Sequence, residues 1–321
     1  PATSLPPVAD TEIVLNMVEG RPSGPEIPRY PDVEMPFTLA TPKAVVIGSQ
    51  LGHVDAFRVH PLLLLRQLRF GIVRPDRGVT WLDDPEAGDR TFTVRPEGSE
   101  LFYNDGELNV RLYLTVDRRY TALVGLLVIR SPAPVEIIAT WKAHHAPGWP
   151  QTSAGVDNAQ IGWDAGAQAV VWRDGTGFAT KAGFGRETPT HILGFRPDKH
   201  LNEAGLFVPL RPPEEGMQGT DPVSPDASNV ALQVRVETKP NSSSVLPIVV
   251  VGGPETELDI DAAFDELIAA PGRPWADNAD HYRDFLGRRT MSLQVPWNGF
   301  QKTFEWAKIG IESLRTNLPD V

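Results

Sequence analysis

The sequence predicts a mainly β protein: a large antiparallel β sandwich over residues 37–253, followed by C-terminal α-helices. Three observations carry that expectation. Residues 37–253 break into short segments rich in Val, Ile, Thr and aromatic side chains, separated by turn residues. No helical run long enough for a crossover lies between them, so the connections that parallel strands require are missing. After Gly253 the apolar residues change from strand spacing to helical spacing. The 31 prolines and 28 glycines are scattered without a period, which suits a chain of many turns and edge strands.

Residues 1–36 hold the dense run "RPSGPEIPRYPDVEMP" and read as an extended, Pro-rich arm, because proline disfavours both helix interiors and central strands. The strand segments then follow: "KAVVIG", "DAFRVH", "LRQLRFGIV", "VTWL", "TFTVRP", "ELNVRLYLTV", "YTALVGLLVI", "VEIIATW", "QAVVWRDGTGFATKAGF", "THILGF", "VALQVRVET" and "VLPIVVVG". In the sixth, Val110, Leu112, Leu114 and Val116 alternate with Arg111, Tyr113 and Thr115, the period of a sheet with one wet face. Runs without alternation, such as "YTALVGLLVI", predict strands covered on both faces. Asp174-Gly175 between two β-rich segments predicts a hairpin with positive φ at that dipeptide. Residues 209–229 read as an acidic loop rich in Pro and Gly.

Residues 254–321 read as helical. "PETELDIDAAFDELIAA" places Leu258, Ala262, Leu267 and Ile268 near helical spacing, with Pro271-Gly272 as its stop, and "PWADNADHYRDFLGRR" forms a second helix. The third is the most regular: Phe300, Phe304, Ala307, Ile311, Leu314 and Leu318 form one stripe, and Trp306 and Ile309 add a second apolar edge. A helix apolar on two edges is expected to be covered from more than one side.

Composition excludes some functions. A net charge of −11 disfavours nucleic acid and anionic lipid as partners, since both are bound through Lys and Arg. No apolar run approaches the length of a membrane span; the longest are of the size of "VLPIVVVGG". Without cysteine there is no disulfide, thiolate metal site or cysteine nucleophile, a pattern compatible with export but not diagnostic of it. The chain lacks a G-x-S-x-G elbow, and Gly175 and Gly177 lack the third glycine and the helix of a dinucleotide fingerprint. No cofactor or metal is expected.

The segment "VPWNGFQKTFEWAKIGIESLRTNLPDV", with Pro296, "FEWAK" at 304–308 and the closing "LPDV", resembles the linker and first barrel helix of bacterial glycogen-debranching-enzyme-like glycoside hydrolases. Upstream, "FTLATPKAVVIGSQLGHVDAFRVHPLLLLRQLRFGI" and "VEIIATWKAHHAPGWP" are similar to strands of that family's N-terminal β-supersandwich. The resemblance implies a β-supersandwich at 37–253 and linker helices at 254–321 leading toward an (α/α)6 catalytic barrel beyond Val321. It implies a carbohydrate partner and a non-catalytic domain that helps shape the pocket. Family members carry their catalytic carboxylates on barrel loops, so it assigns no catalytic residue here. Phe304, Trp306, Ile309, Ile311 and Leu314 are the expected interdomain contacts.

The densest polar and aromatic cluster lies at residues 140–166. Trp141, His144, His145, Trp149, Asp157 and Trp163 could form a sugar surface, because aromatic faces suit sugar CH groups while carboxylates and imidazoles suit hydroxyls. The structural alternative is that Trp141 and Trp163 are core anchors. His144 and His145 are neighbours on a strand and point to opposite faces, which argues against shared metal ligation. Acidic pairs such as Asp83-Asp84 and Glu214-Glu215 are expected to be structural or solvated, since carboxylates are mostly exposed. Two further readings stay open: a free-standing carbohydrate-binding sandwich, and a mutarotase-like enzyme with His144 or His145 as base facing a carboxylate in a sheet concavity.

Overall fold

The computed structural model describes residues 10–20, 22–29, 34–74, 78–147, 159–186, 188, 190–194, 201, 228–293 and 296–315. Its strands are β1 (Ile27–Arg29), β2 (Pro36–Ala40), β3 (Ala44–Ser49), β4 (Val54–Val59), β5 (Leu62–Arg74), β6 (Gly78–Trp81), β7 (Asp89–Arg95), β8 (Gly98–Asn104) and β9 (Asn109–Val116). They continue as β10 (Ala122–Arg130), β11 (Val135–Pro147), β12 (Gln160–Asp164), β13 (Ala169–Arg173), β14 (Phe178–Gly183), β15 (Thr190–Leu193), β16 (Asn229–Val236) and β17 (Ser244–Pro254). Among the described residues they form a nine-stranded sheet, β1-β7-β8-β9-β10-β17-β14-β13-β12, and an eight-stranded sheet, β15-β16-β11-β5-β4-β3-β2 with β6 beside β5. Neighbouring strands pair antiparallel throughout.

The two sheets share one core. Inward residues of β5 (Leu68, Phe70, Ile72), β11 (Ile137, Ala139, Trp141), β9 (Val110, Leu112, Leu114) and β17 (Leu246, Ile248, Val250) interleave in a single buried cluster. Helices then cover the outside of the nine-stranded sheet. α1 (Thr11–Val18) supplies Val14 and Val18, and α3 (Arg273–Asp284) supplies Trp275, against Tyr113, Leu126 and Val245. α2 (Ile260–Ala269) lays Ile260, Ala263, Phe264, Leu267 and Ile268 on Val124, Val171, Val249 and Val251. This is why β10 and β17 carry unbroken apolar runs: both of their faces are dry.

Several expectations are corrected. The 1–36 arm is not extended throughout, because residues 8–21 contain no proline and Thr11–Val18 is helical, capped by the Asp10 side chain. β1 within it pairs with β7. The face of β9 expected to be wet is dry at Tyr113 and Thr115: Trp275 meets Tyr113 edge-on at 5.3 Å, and Asn278 donates to Thr115 at 2.9 Å. In the β13–β14 hairpin, positive φ falls at Gly177 (φ 85) rather than at the Asp174-Gly175 dipeptide. Asp174 caps a longer loop by accepting from the amides of Thr176 and Phe178, and the left-handed residue closes that loop at its far end. In α2 the buried stripe includes Ala263, while Ala262 is exposed. The acidic loop of 209–229 lies outside the described residues except at Ser228 and Asn229.

Candidate functional site

Among the described residues, none of the buried apolar clusters joins a helix to the outer face of the eight-stranded sheet. That face carries a cleft of roughly 420 Å³, lined by the turn before β4, the middle of β5, the turn after β6, and β11 with β16. Strand alternation places its residues. Arg69 and Thr140 face each other across β5 and β11, each between inward neighbours, so both point away from the core. A bulge follows, where the pairing shifts between Thr140 and Lys142, and Gln67 on the opposite strand takes a left-handed conformation (φ 55). Such a conformation costs a non-glycine residue about 1–3 kcal/mol, and bulges re-aim side chains next to functional sites. Here the bulge brings Gln67 and Lys142 to the cleft wall, with Asn229 alongside.

The floor depends on β6. Gly71 pairs with Trp81, and a Cβ at Gly71 would lie 2.6 Å from Val79 and 3.1 Å from the Trp81 ring, so only glycine lets β6 lie this close. Trp81 then supports Arg69, whose guanidinium stacks 4.6 Å from the ring centroid. The next turn delivers Asp83, with only 8% of its side chain exposed. It accepts two hydrogen bonds from Arg69, at 2.7 and 2.9 Å. His53 completes the group: its Nδ1 lies 3.3 Å from Asp83, and its Nε2 lies 3.2 Å from Asp55 and 3.5 Å from Glu34. The Nδ1 contact is within ion-pair range but is not aligned as a hydrogen bond.

Charge follows from this geometry. The Asp83 carboxylate, chiefly, raises His53 above the ordinary imidazole range, against the opposing cost of burial, with Asp55 and Glu34 adding to the rise. Burial pushes Asp83 up, but His53 and Arg69 outweigh it and hold the carboxyl below its usual range. The cleft therefore offers the His53 imidazole, the Lys142 amine, two amides, a hydroxyl and the half-exposed Asp55 carboxylate. That is a donor and acceptor array for a polyhydroxylated ligand.

The described residues of the predicted 140–166 cluster do not converge. Trp141 is 2% exposed, belongs to the shared core and touches the cleft only as part of its lining. Trp163 packs against the same core and stacks on His191 at 3.8 Å, bridging the edges of the two sheets. His145 has a fully buried side chain, with Nδ1 at 3.1 Å from Asp174 and Nε2 at 2.8 Å from Thr180. It does face a carboxylate, but with both side chains buried. His144 is half-buried, and its carbonyl accepts from Trp172. Trp149 and Asp157 lie outside the described residues.

Sequence reasoning missed His53, Asp55, Arg69 and Asp83. Asp83 is structural in holding Arg69 and His53, yet it also lines the cleft, whereas Asp84 only caps a turn through the Glu86 amide. The available signal was the outward position of Arg69 between inward Leu68 and Phe70.

The last helix, α4 (Asn298–Ser313), buries a different face from the one its apolar stripe suggested. Ile309 and Glu312 turn inward, Phe304 and Trp306 are half-buried, and Ile311 and Leu314 are 69% and 80% exposed. The inward face is held by charge: Glu312 meets His281 at 3.2 Å and Arg118 at 3.8 Å. Ionic anchoring leaves the apolar stripe free to face outward.

No family model matches this chain, and no curated protein matches it in sequence. Among solved structures it is similar to a bacterial glucoamylase complexed with acarbose, at 9% identity and TM-score 0.56, over 90% of this chain and 44% of that one. It also aligns with a protein described as a kojibiose phosphorylase from the human microbiome (8% identity, TM-score 0.48, 86% of this chain and 39% of that one). A galactose mutarotase related enzyme from Lactobacillus acidophilus aligns at 9% identity and TM-score 0.39, over 69% of this chain and 98% of that one. The last two superpose too loosely to carry an argument. The chain spans less than half the length of the glucoamylase it matches, and what the two share is a fold, the two-sheet antiparallel sandwich with its flanking helices.

Proposed function

We propose that this chain is a carbohydrate-handling β-sandwich domain of a glycoside-hydrolase-type enzyme, non-catalytic by itself, which binds glycan in the cleft on the outer face of its eight-stranded sheet. The likeness to the glucoamylase carries this reading. The sheets span residues 27–254, so a match over 90% of the chain must take in helices as well as strands. The resemblance of residues 295–321 to a debranching-type linker points the same way, and an α-glucan is the corresponding ligand class. The exposed stripe of Phe300, Ile311 and Leu314 supports a role in which another domain or chain covers α4, rather than a free-standing binder that buries that stripe on its own sandwich.

Of the two carboxylates among the described residues lining the cleft, Asp83 is committed to Arg69, which leaves Asp55 without a second lining carboxyl to flank a glycosidic bond. The test is turnover. Purified chain incubated with α-glucans and aryl glycosides is expected to release no sugar, and release that scales with the protein through purification would contradict the proposal.

One observation favours a second reading. His53, raised by its carboxylates and set beside Asp55 in a sheet cleft, has the components for proton transfer at a sugar's anomeric centre, at a residue other than the predicted His144 or His145. Anomer interconversion of glucose and galactose, followed by NMR with and without the chain, decides it: an unchanged rate removes this reading, and an accelerated rate lost in His53→Gln establishes it.

A further inference from the structure

A second pocket lies on the eight-stranded sheet, apart from the His53 cleft. The β2–β3 and β4–β5 turns sit at the same end of the sheet, because Ala44 at the start of β3 pairs with Val59 at the end of β4. They bring Lys43 and His60 to the rim of a pocket of roughly 230 Å³. Between them Arg58, paired with Val45, points away from the core, since its neighbours Phe57 and Val59 point into it. Val45 and Leu62 supply apolar wall, and Ser313 at the end of α4 closes the far side.

Three features of this pocket belong together. Among the described residues it is lined by Lys43, Arg58 and His60 and by no carboxylate, in a chain that carries 41 acidic residues and a net charge of −11. Arg58 Nε is buried and has no hydrogen-bond partner. Among the described residues none of the three side chains makes an ion pair, whereas Arg69, Arg74, Arg95, Arg111 and Arg119 each meet an acid. A buried guanidinium N–H without an acceptor is costly, and the partner that matches its planar fork is an oxyanion. The apolar walls disfavour a fully hydrated free ion and suit an oxyanion attached to a carbon body.

We propose that this pocket binds a small organic oxyanion, a phosphate monoester or a carboxylate, with Arg58 as its principal ligand and Lys43 and His60 at the rim. The competing explanation is that the three cations merely offset the negative C-terminal end of the α4 dipole. In that case, replacing Arg58 would loosen α4 without changing anion binding.

The experiment titrates the full chain at low ionic strength with phenyl phosphate, benzoate and inorganic phosphate, following the backbone amides of Val45, His60 and Ser313 by NMR. Saturable shifts are expected with phenyl phosphate or benzoate, whichever saturates identifying the oxyanion, and sodium chloride of equal ionic strength should not reproduce them. Arg58→Gln is expected to weaken that binding by about tenfold or more, and Lys43→Gln by less. Inorganic phosphate binding as tightly as phenyl phosphate would remove the carbon body from the proposal. No saturation by about 10 mM, or undiminished binding in Arg58→Gln, would overturn it. Should Arg58→Gln fail to fold, Lys43→Gln, on an exposed turn, decides in its place: unchanged affinity there also overturns the proposal.

Discussion

The two outer faces of this sandwich have opposite fates. On the nine-stranded sheet, α1, α2 and α3 press Val14, Phe264 and Trp275 onto the strands, and even a buried Lys181 is neutralised by Asp164 at 2.9 Å and Asp261 at 2.6 Å. On the eight-stranded sheet the same backbone geometry presents Arg69, Thr140, Gln67 and Lys142 to a cleft. Both sheets give their inner faces to one core, so the difference is confined to the residues at alternate positions. One outer face is closed by helices, and the other carries the cleft proposed to bind glycan.

The largest expected effect lies on the covered face. Trp275→Ala empties the contact with Tyr113, whose burial raises its hydroxyl to about 12, and should cost about 3–5 kcal/mol by chemical denaturation. Glycan binding should be unchanged where the variant is folded. If binding falls with stability intact, the two faces are not independent.

On the open face, Asp83→Asn removes the carboxylate shared by Arg69 and His53. It should destabilise by about 1–3 kcal/mol, less than loss of a dry core contact, because Arg69 can rehydrate. This contribution has a defined pH window. His53 is raised in the folded state, so its part is fully present below the unfolded imidazole value and is lost as pH rises through the folded one. Asp83 is lowered, so its part is present above the unfolded carboxyl value and is lost as pH falls through the folded one. The stability gap between native protein and His53→Gln should therefore be widest at roughly pH 4 to 6.5 and shrink toward pH 9. A gap that widens with pH in denaturation curves would refute the assignment of His53 as the cationic partner.

The smallest effect separates stability from recognition at one residue. Gln67→Gly relieves the left-handed strain and should stabilise by about 0.5–1 kcal/mol in melting or denaturant curves, while weakening glycan binding. Gain of stability with undiminished binding would mean that Gln67 does not read the ligand.

Much of the fold was legible because sheet alternation and helix spacing are local properties. β10 and β17 announced their double burial through unbroken apolar runs, and α2 through its helical spacing and its Pro271-Gly272 stop. What failed depended on distant partners. The Tyr113 and Thr115 side of β9 became dry only because α3 returns from the far end of the chain. The site was less legible than the fold. Trp141 and Trp163 stood out by composition, yet large aromatics near strand ends are as useful to a core as to a sugar, and here they serve the core. The cleft residues are single, ordinary side chains at positions 53, 55, 69 and 83, and the β4–β5 and β5–β6 pairings with the bulge at Gln67 bring them together.

The most direct test of this division is an NMR titration of the full chain with maltotriose. Saturable shifts at the amides of Gln67, Arg69, Lys142 and Asn229, absent from Tyr113 and Phe264 and lost in Asp83→Asn, are the predicted result. Saturable shifts confined to the helix-covered face or to the Trp163 edge, or none anywhere, would contradict the assignment of the eight-stranded sheet as the recognition face.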